Sequence, residues 1–466
     1  MTVWTMGRKQ TGPNPFFDGV PNGTSQDVGK VIVIGAGASG LTAARILQDQ
    51  GLEVTVLEGR ERIGGRLHTI QVGGGLVDAG GNWIHGVPEN PLYNLAQDAG
   101  LTVHEDNFIH PFRMKIFDQA RARSVNPFRM LYFLLRAARL IGRYAGESLT
   151  ATHRESNLAE RIEKEVARIR GAHNKRYFRF LTRMVIDLTA AQKSELLHPN
   201  GMALNPDYEG GSDFVIKGGY RQLIERLAAG LDVRLSTIVE TIRYDDQGVE
   251  IITDSGVFRS SHVIVTIPLG VLKAQAISFD PPLPDWKLEA IKNVGVGVVE
   301  KIALKFEKAF WRSSAQTPHS VFYVGNELGD FPAFIDGSSS AGCPMLVAFL
   351  TGDQVRRMAE DSEPFVERAT EVLREIFPDS YQVPTAVHVT NWGQDPFSLG
   401  SYSTPAIGVS AEDYENLSLP IDGRVLFAGE ATYREHAGFV EGAMGSGIRE
   451  ARRILGREVE LVLKPE

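Results

Sequence analysis

Three glycines in Gly35-Ala36-Gly37-Ala38-Ser39-Gly40 directly follow the apolar run Val31–Ile34. At this spacing Gly35 tightens a turn, Gly37 lets backbone approach a pyrophosphate, and Gly40 lets a helix pack close on a strand. The start of that helix, where Ser39 stands, offers amide donors and a positive dipole to phosphate. Glu58 comes 18 residues after Gly40, at the end of a second apolar stretch. A carboxylate there accepts hydrogen bonds from both hydroxyls of a ribose. The chemistry is dinucleotide binding, and this turn alone does not separate NAD from FAD.

The continuation Arg60-Glu61-Arg62-Ile63-Gly64-Gly65-Arg66 decides for FAD. Gly64 and Gly65 bring more backbone to phosphate, and Arg66 holds out a planar fork to its oxygens. Gly80-Gly81-Asn82-Trp83-Ile84-His85-Gly86 then supplies a surface of small residues on which a ring system can lie. Far along the chain, Leu426–Thr432 and Gly438–Glu441 form a second strand-turn-helix pattern. One cofactor therefore gathers both ends, which reads as a flavoprotein.

The elements that must position these residues follow from periodicity. Val31–Ile34, a helix over Leu41–Gln50 and a strand over Glu53–Leu57 make a βαβ start. Short strands are expected at Ile238–Tyr244 and Val249–Thr253, joined by the turn Asp245-Asp246-Gln247-Gly248, with another at His262–Ile267. Residues 296–389 alternate strands with a helix over 363–377, and Arg424–Ala428 with a helix over Gly438–Ile454 closes the first domain. The expected fold is α/β: a doubly wound Rossmann-type FAD-binding domain, interrupted by a second, α+β substrate-binding domain. The first takes residues 29–103, 205–295 and 390–460, the second 104–204 and 296–389. Residues 1–28 read as a disordered tail without the apolar stretch of a secretory signal.

At 466 residues, 43% apolar and 23% charged, the chain has an ordinary globular composition and room for two or three domains. It holds no apolar run long enough to span a bilayer. Its single cysteine, Cys343, rules out an internal disulfide and favours a cytoplasmic setting. His68, His104 and His388 lack metal-ligand spacing, so no metal is assigned. The net charge of −8 is uneven, because residues 111–200 carry 18 Lys and Arg against 8 Asp and Glu, leaving 31 against 49 elsewhere. Such a basic insertion suits an anionic partner, or simply a solvated helical face, since 161–170 mixes both signs. Within it, Arg129, Arg136 and Arg143 recur beside Phe133, Leu134, Leu140 and Ile141 as one amphipathic helix. That helix packs on its own domain, or else meets a membrane surface or another subunit.

From residue 30 to 455 the chain resembles the flavin-dependent amine oxidases, and among them the polyamine oxidases, including spermine oxidases. The landmarks are Gly35–Gly40, Arg62–Arg66, Asp78–Gly86, Gly218-Gly219-Tyr220, Thr266–Gly270, Lys301, Trp392, Gly400–Ser403 and Ala428–Arg449. The polyamine branch rests mainly on Trp83-Ile84-His85-Gly86. The resemblance implies that Glu58 and Arg66 serve the ADP half of FAD, with Arg60 and Gly65 also among the cofactor-binding residues, that Val239 meets the adenine, and that Glu430 reaches the ribityl chain. Gly81, Asn82 and Trp83 border the ring. Val440 begins a helix aimed at its pyrimidine end, where the dipole stabilises the reduced anion.

An isolated lysine on a strand such as Val299-Glu300-Lys301-Ile302-Ala303-Leu304 ordinarily faces solvent. The resemblance instead makes Lys301 the residue that holds a water beside flavin N5, with its pKa lowered by burial. Tyr402 and Phe439 become aromatic walls flanking the substrate amine. His85 faces the cavity to bond an amine nitrogen, and Trp392 supports flavin and cavity wall. Ser401 replaces the cysteine of flavinylated relatives, implying non-covalent FAD. Asp207, Glu209 and Asp213 are candidates for a second ammonium.

The expected reaction oxidises spermine, spermidine or their acetylated forms to an aldehyde, a shorter amine and hydrogen peroxide, with O2 as acceptor. Nucleic acid is not an expected partner, and nothing decides between monomer and homodimer. The alternatives are a monoamine, nicotine-type or amino-acid oxidase, and a non-catalytic FAD-binding protein. Histone demethylation is not expected, since no long coiled-coil insertion interrupts the chain.

Overall fold

The computed structural model describes residues 29–87, 90–106, 113–145, 156–201, 212–312, 320–325 and 333–463; the tail expected over 1–28 lies outside them. Val31–Ile34 and Val54–Leu57 are short aliphatic runs buried at every position, as parallel strands covered on both faces must be. They sit inside a five-stranded sheet ordered Asp232–Arg234, Val54–Leu57, Val31–Ile34, His262–Val265, Val425–Phe427. Every pairing in it is parallel. Alternate residues serve opposite cores. Val31, Val33, Ile264 and Leu426 pack under the helices Ala38–Asp49 and Val440–Leu455, while Ile32, Ile34, Val263 and Phe427 face the other layer.

Those two helices cross where side chains are smallest. A Cβ on Gly447 would stand 2.4 Å from the Ser39 carbonyl oxygen, and one on Gly40 would stand 2.0 Å from that of Gly35. The close crossing also sets the Ser39 and Ser446 hydroxyls 3.0 Å apart. Beyond the opposite face lies a four-stranded sheet containing Val239–Tyr244 and Val249–Thr253. Their turn closes as composition suggests, the Asp245 carboxylate accepting from the amides of Gln247 and Gly248.

A seven-stranded mixed sheet, ordered Ala386–Val389, Val299–Lys305, Met345–Thr351, Ala333–Asp336, Ser320–Val324, Met114–Asp118, Arg123–Ser124, forms the second layer system. Helices Pro127–Ala145, Leu158–Ala167 and Ala172–Ala190 supply the core on one face through Phe133, Ile162 and Phe178. Glu363–Ile376 supplies the other through Val372 and Leu373. In Val299–Lys305 the residues Val299 and Ala303 join the first core, and Ile302 and Leu304 the second. Lys301 shares the parity of Val299 and Ala303. A strand covered on both sides leaves no solvent side for its lysine, which is only 7% exposed.

Two further small sheets are antiparallel. Trp83–Val87 pairs antiparallel with Ser212–Ile216, with a register shift between Ile84 and Val87. Gly295–Gly297 pairs antiparallel with Tyr402–Thr404. Both sheets end in the cavities described next.

Candidate active site

Two cavities lie end to end, of about 540 and 560 Å³. The first runs from Gly35, Gly37 and Glu58 past Thr266 and Val239 to Glu430. The second is walled by Asn82, Trp83, His85, Lys301, Phe349 and Trp392. Arg66, Gly81, Ser401, Tyr402, Phe439 and Val440 line both, so they form the junction.

The first cavity fits a dinucleotide on its own geometry. Gly35 has φ +107°, and a Cβ there would stand 2.5 Å from the Thr266 hydroxyl oxygen, whereas a Cβ on Gly37 would meet only open space. The glycines thus shape a turn around an opening. Helix Ala38–Asp49 starts there with no side chain capping its amides, and Val440–Leu455 starts uncapped at the junction. Two helix N-termini without an N-cap side chain, bordering one continuous opening, suit an anionic pyrophosphate at one end and electron-rich ring oxygens at the other. Gly65, at φ +56°, carries the second glycine loop against Gly37.

The expected cofactor residues are more committed to one another than spacing suggested. The Glu58 carboxylate accepts from the amides of Ala36 (2.7 Å) and Arg60 (2.9 Å), tying both glycine loops together. The Arg60 guanidinium forms a two-pronged pair with Asp395, 2.7 Å on each arm, and lies over Phe397. Arg66 donates to Glu430 and to the Ser401 carbonyl, both at 3.0 Å. Glu430, 6% exposed, also accepts from the Ser403 hydroxyl and the Gly438 amide. Glu430 thereby welds the substrate-side strand at Ser403 to the turn before the C-terminal helix. The Ser39 hydroxyl is spent on Ser446. Ser401 is spent on the backbone of Val299, donating to its carbonyl and accepting from its amide.

In the second cavity Lys301 Nζ donates to three oxygens: the Asp78 carbonyl (3.0 Å), the Gly80 carbonyl (2.5 Å) and Asn82 Oδ1 (2.9 Å). These acceptors consume all the protons an ammonium has, and the group also lies 5.2 Å from the centre of the Phe349 ring. Burial brings the Lys301 pKa down to about 8, against the pull of Asp78. Burial likewise raises the Asp78 carboxyl to about 6, its hydrogen bonds from Thr69 and Tyr220 acting the other way. Trp392 closes the wall by donating to the Ala79 carbonyl at 3.0 Å.

Tyr402 is held by a 2.6 Å hydrogen bond from its hydroxyl to the Leu188 carbonyl, and burial raises its pKa. Anchored this way, the ring is a wall and not a proton donor to solvent. Phe439 precedes the first turn of its helix and meets His85 edge-on, with centroids 5.7 Å apart.

His85 and Asp213 stand in the irregular stretch of their strand pair, where a bulge re-aims side chains. There His85 Nδ1 lies 2.9 Å from the Asp213 carboxylate. Burial alone would lower the His85 pKa, but the Asp213 hydrogen bond and charge, with that of Glu441, leave it raised. Glu441 lines the same cavity. Burial raises its pKa, yet His436 and His85 bring it below the usual carboxylate value. The second cavity thus carries two carboxylates, Asp213 and Glu441, on its His85 side.

Sequence reasoning placed Lys301, Tyr402, Phe439, His85 and the glycines, and the structure brings them to two adjoining cavities. Asp207 and Glu209 lie outside the described residues. It gave no role to Asp395, Phe349, Glu441 or Tyr414. Phe349 sits in an all-apolar strand that hides it, and Asp395 meets Arg60 only through the fold. Glu441 stood in a quoted motif. The Tyr414 hydroxyl, on the same cavity wall, has no hydrogen-bond partner among the described residues. No group of three His, Cys, Asp or Glu that could hold a metal occurs among the described residues.

Comparison with known proteins gives three results. A family model described as flavin containing amine oxidoreductase matches residues 38–455. The chain is 35% identical to "Lysine-specific histone demethylase 1 homolog 2" of Arabidopsis thaliana, over 92% of this chain and 58% of that protein. It is 36% identical to homolog 1 of the same plant, covering 94% and 53%, and so spans little more than half of either relative. It is 32% identical to "Probable polyamine oxidase 4" of Arabidopsis thaliana, covering 93% of this chain and 90% of that one. Among solved structures, putrescine oxidase bound to putrescine superposes with a TM-score of 0.76, covering 92% and 99%. At 21% identity, that likeness speaks for the fold alone.

Proposed function

The chain belongs to the flavin-containing amine oxidoreductases, with FAD as cofactor, and on that premise we propose that it oxidises polyamines of the spermine or spermidine class. The observation that carries this reading is the pair of carboxylates, Asp213 and Glu441, beside His85 in the cavity that adjoins the cofactor cleft. A substrate with a second positive nitrogen gains from those carboxylates, whereas a simple monoamine does not.

In this proposal Glu58, Gly35, Gly37, Gly65 and Arg66 hold the nucleotide end, and Val239 borders the adenine. Glu430 serves the ribityl chain, and the amides opening the helix at Val440 serve the ring's pyrimidine side. FAD is held without a covalent bond, since Ser401 is committed to Val299 and Cys343 lines neither cavity. When bound, FAD supplies a two-electron acceptor for the carbon beside the amine nitrogen, with O2 taking the electrons on as hydrogen peroxide. Tyr402 and Phe439 bracket the amine and hold its α-C–H in line, so orientation supplies much of the rate. Their rings, with Trp83 and Phe349, keep water from the reacting carbon until the imine forms. Lys301, once deprotonated, has a lone pair to take a proton from the water that hydrolyses that imine.

A second reading is oxidation of an N-methylated lysine side chain, favoured by the relatives at 35 and 36% identity named as histone demethylases. The bond broken is of the same kind, and a flexible cationic chain also suits those two carboxylates. Product masses separate the two: incubation with spermine, N-acetylspermine and a methylated histone tail peptide, each analysed after turnover. Aldehyde and shortened amine from a polyamine support the proposal. Formaldehyde from the peptide, with polyamines untouched, would replace it by the second reading.

A further inference from the structure

The helix Pro127–Ala145 contributes nothing to either cavity, yet its outer side is unusual. Met130, Phe133, Ala137 and Leu140 face inward and are buried. At 100° per residue this leaves Phe128, Tyr132, Leu135 and Arg139 as one stripe on the opposite side. Phe128 is 72% exposed, Tyr132 55% and Leu135 53%. Single exposed hydrophobes are common, but three in register along two turns form a patch.

The charge along this stretch of the chain has one sign. Residues 119–145 contain six arginines and no Asp or Glu. The carboxylate that pairs with the helix, Glu165, is buried and shared between Arg136 at 2.8 Å and Arg168 at 2.9 Å. Arg129 lies over the Tyr177 ring. Arg123 and Arg139 are exposed and form no ion pair among the described residues. A second copy of the chain does not suit this face, because a two-fold contact would set the same arginines against each other. The occupant must be both apolar and anionic. Since no described helix is long and apolar enough to cross a membrane, the helix would lie in the plane of a surface.

We propose that Pro127–Ala145 seats the protein on an anionic phospholipid surface, with Phe128, Tyr132 and Leu135 in the headgroup boundary and Arg123 and Arg139 on lipid phosphates. The charge asymmetry orients the approach. The chain carries −8 overall, so its acidic remainder is repelled while the basic insertion is drawn down.

The test is co-sedimentation of the FAD-loaded protein with vesicles of phosphatidylcholine alone and of phosphatidylcholine mixed with phosphatidylglycerol. Binding is expected to the mixed vesicles only and to be released by high salt. The double variant Arg123→Glu/Arg139→Glu should lose more than tenfold in partitioning, since each arginine is worth about fivefold at such a surface. Phe128→Ser/Leu135→Ser should lose a comparable amount, with flavin absorption and amine turnover unchanged in both variants. Absence of binding to mixed vesicles, or equal binding to neutral ones, would overturn the proposal. So would a wild-type dimer that Phe128→Ser/Leu135→Ser splits, which would make the stripe a contact between copies.

Discussion

At the scale of single residues, Lys301 has the most to say. Its three acceptors explain why an ammonium is tolerated in a buried strand, and its pKa of about 8 explains why the proton is easily lost. Because the active form in our reading is the neutral amine, turnover should rise with pH through about 8. Lys301→Met should keep FAD, lose on the order of 10²-fold in turnover and lack that rise; a pH profile of kcat for both proteins checks it. Stability carries the same signature. The folded pKa lies below the unfolded 10.5, so between about 8 and 10.5 the unfolded state binds more protons. Unfolding free energy therefore gains with pH across that window, and denaturant titrations of Lys301→Met should show a flatter dependence. For Asp213→Asn the expectation is a KM for spermine raised about tenfold or more with kcat little changed, as for a lost charged hydrogen bond. A monoamine substrate should show no such penalty. The lysine's importance was legible only through the landmark pattern, since local spacing pointed it to solvent. The His85–Asp213 pair was not legible as a pair, because a bulged register between strands far apart in sequence sets it.

At the scale of elements, the glycine turn and the helix after it were readable because their demands are local: positive φ at Gly35 and close approach at Gly40 admit few residue types. The closing helix was expected from Gly438 and begins at Val440, after Phe439 in extended backbone. That offset matters, since it leaves Phe439 facing the cavity and the helix start without a cap from the residue before it. What spacing could not reveal is the crossing of this helix with Ala38–Asp49. Gly447→Ala forces a Cβ toward the Ser39 carbonyl and should cost about 1–3 kcal/mol, together with weaker FAD retention, because both helix starts border the cofactor cleft. Denaturant unfolding and flavin release measured side by side test this; loss of neither would mean that the crossing relaxes freely. The amphipathic helix Pro127–Ala145 was also foreseen, but periodicity described only its inner face. The outer stripe of Phe128, Tyr132 and Leu135 emerges once burial is known.

At the scale of the whole molecule, one parallel sheet carries the nucleotide and one mixed sheet carries the amine cavity, with chain crossing between them several times. Arg66, Ser401, Ser403 and Glu430 come from segments far apart in sequence and are tied together by hydrogen bonds beside the junction of the two cavities. That arrangement makes FAD a structural partner as well as a reagent: removal should lower the Tm, and added FAD should restore it in proportion to its concentration. Fold class and cofactor were legible because many ordered motifs agree. Substrate choice was not, since it depends on where carboxylates stand along a cavity built from both halves. The most direct measurement of the central claim is anaerobic mixing of the FAD-loaded protein with spermine while following the visible flavin absorption. The account predicts bleaching in a single turnover, and its return with one equivalent of hydrogen peroxide on admitting O2. Persistence of the oxidised spectrum with spermine, spermidine and their acetylated forms would contradict it.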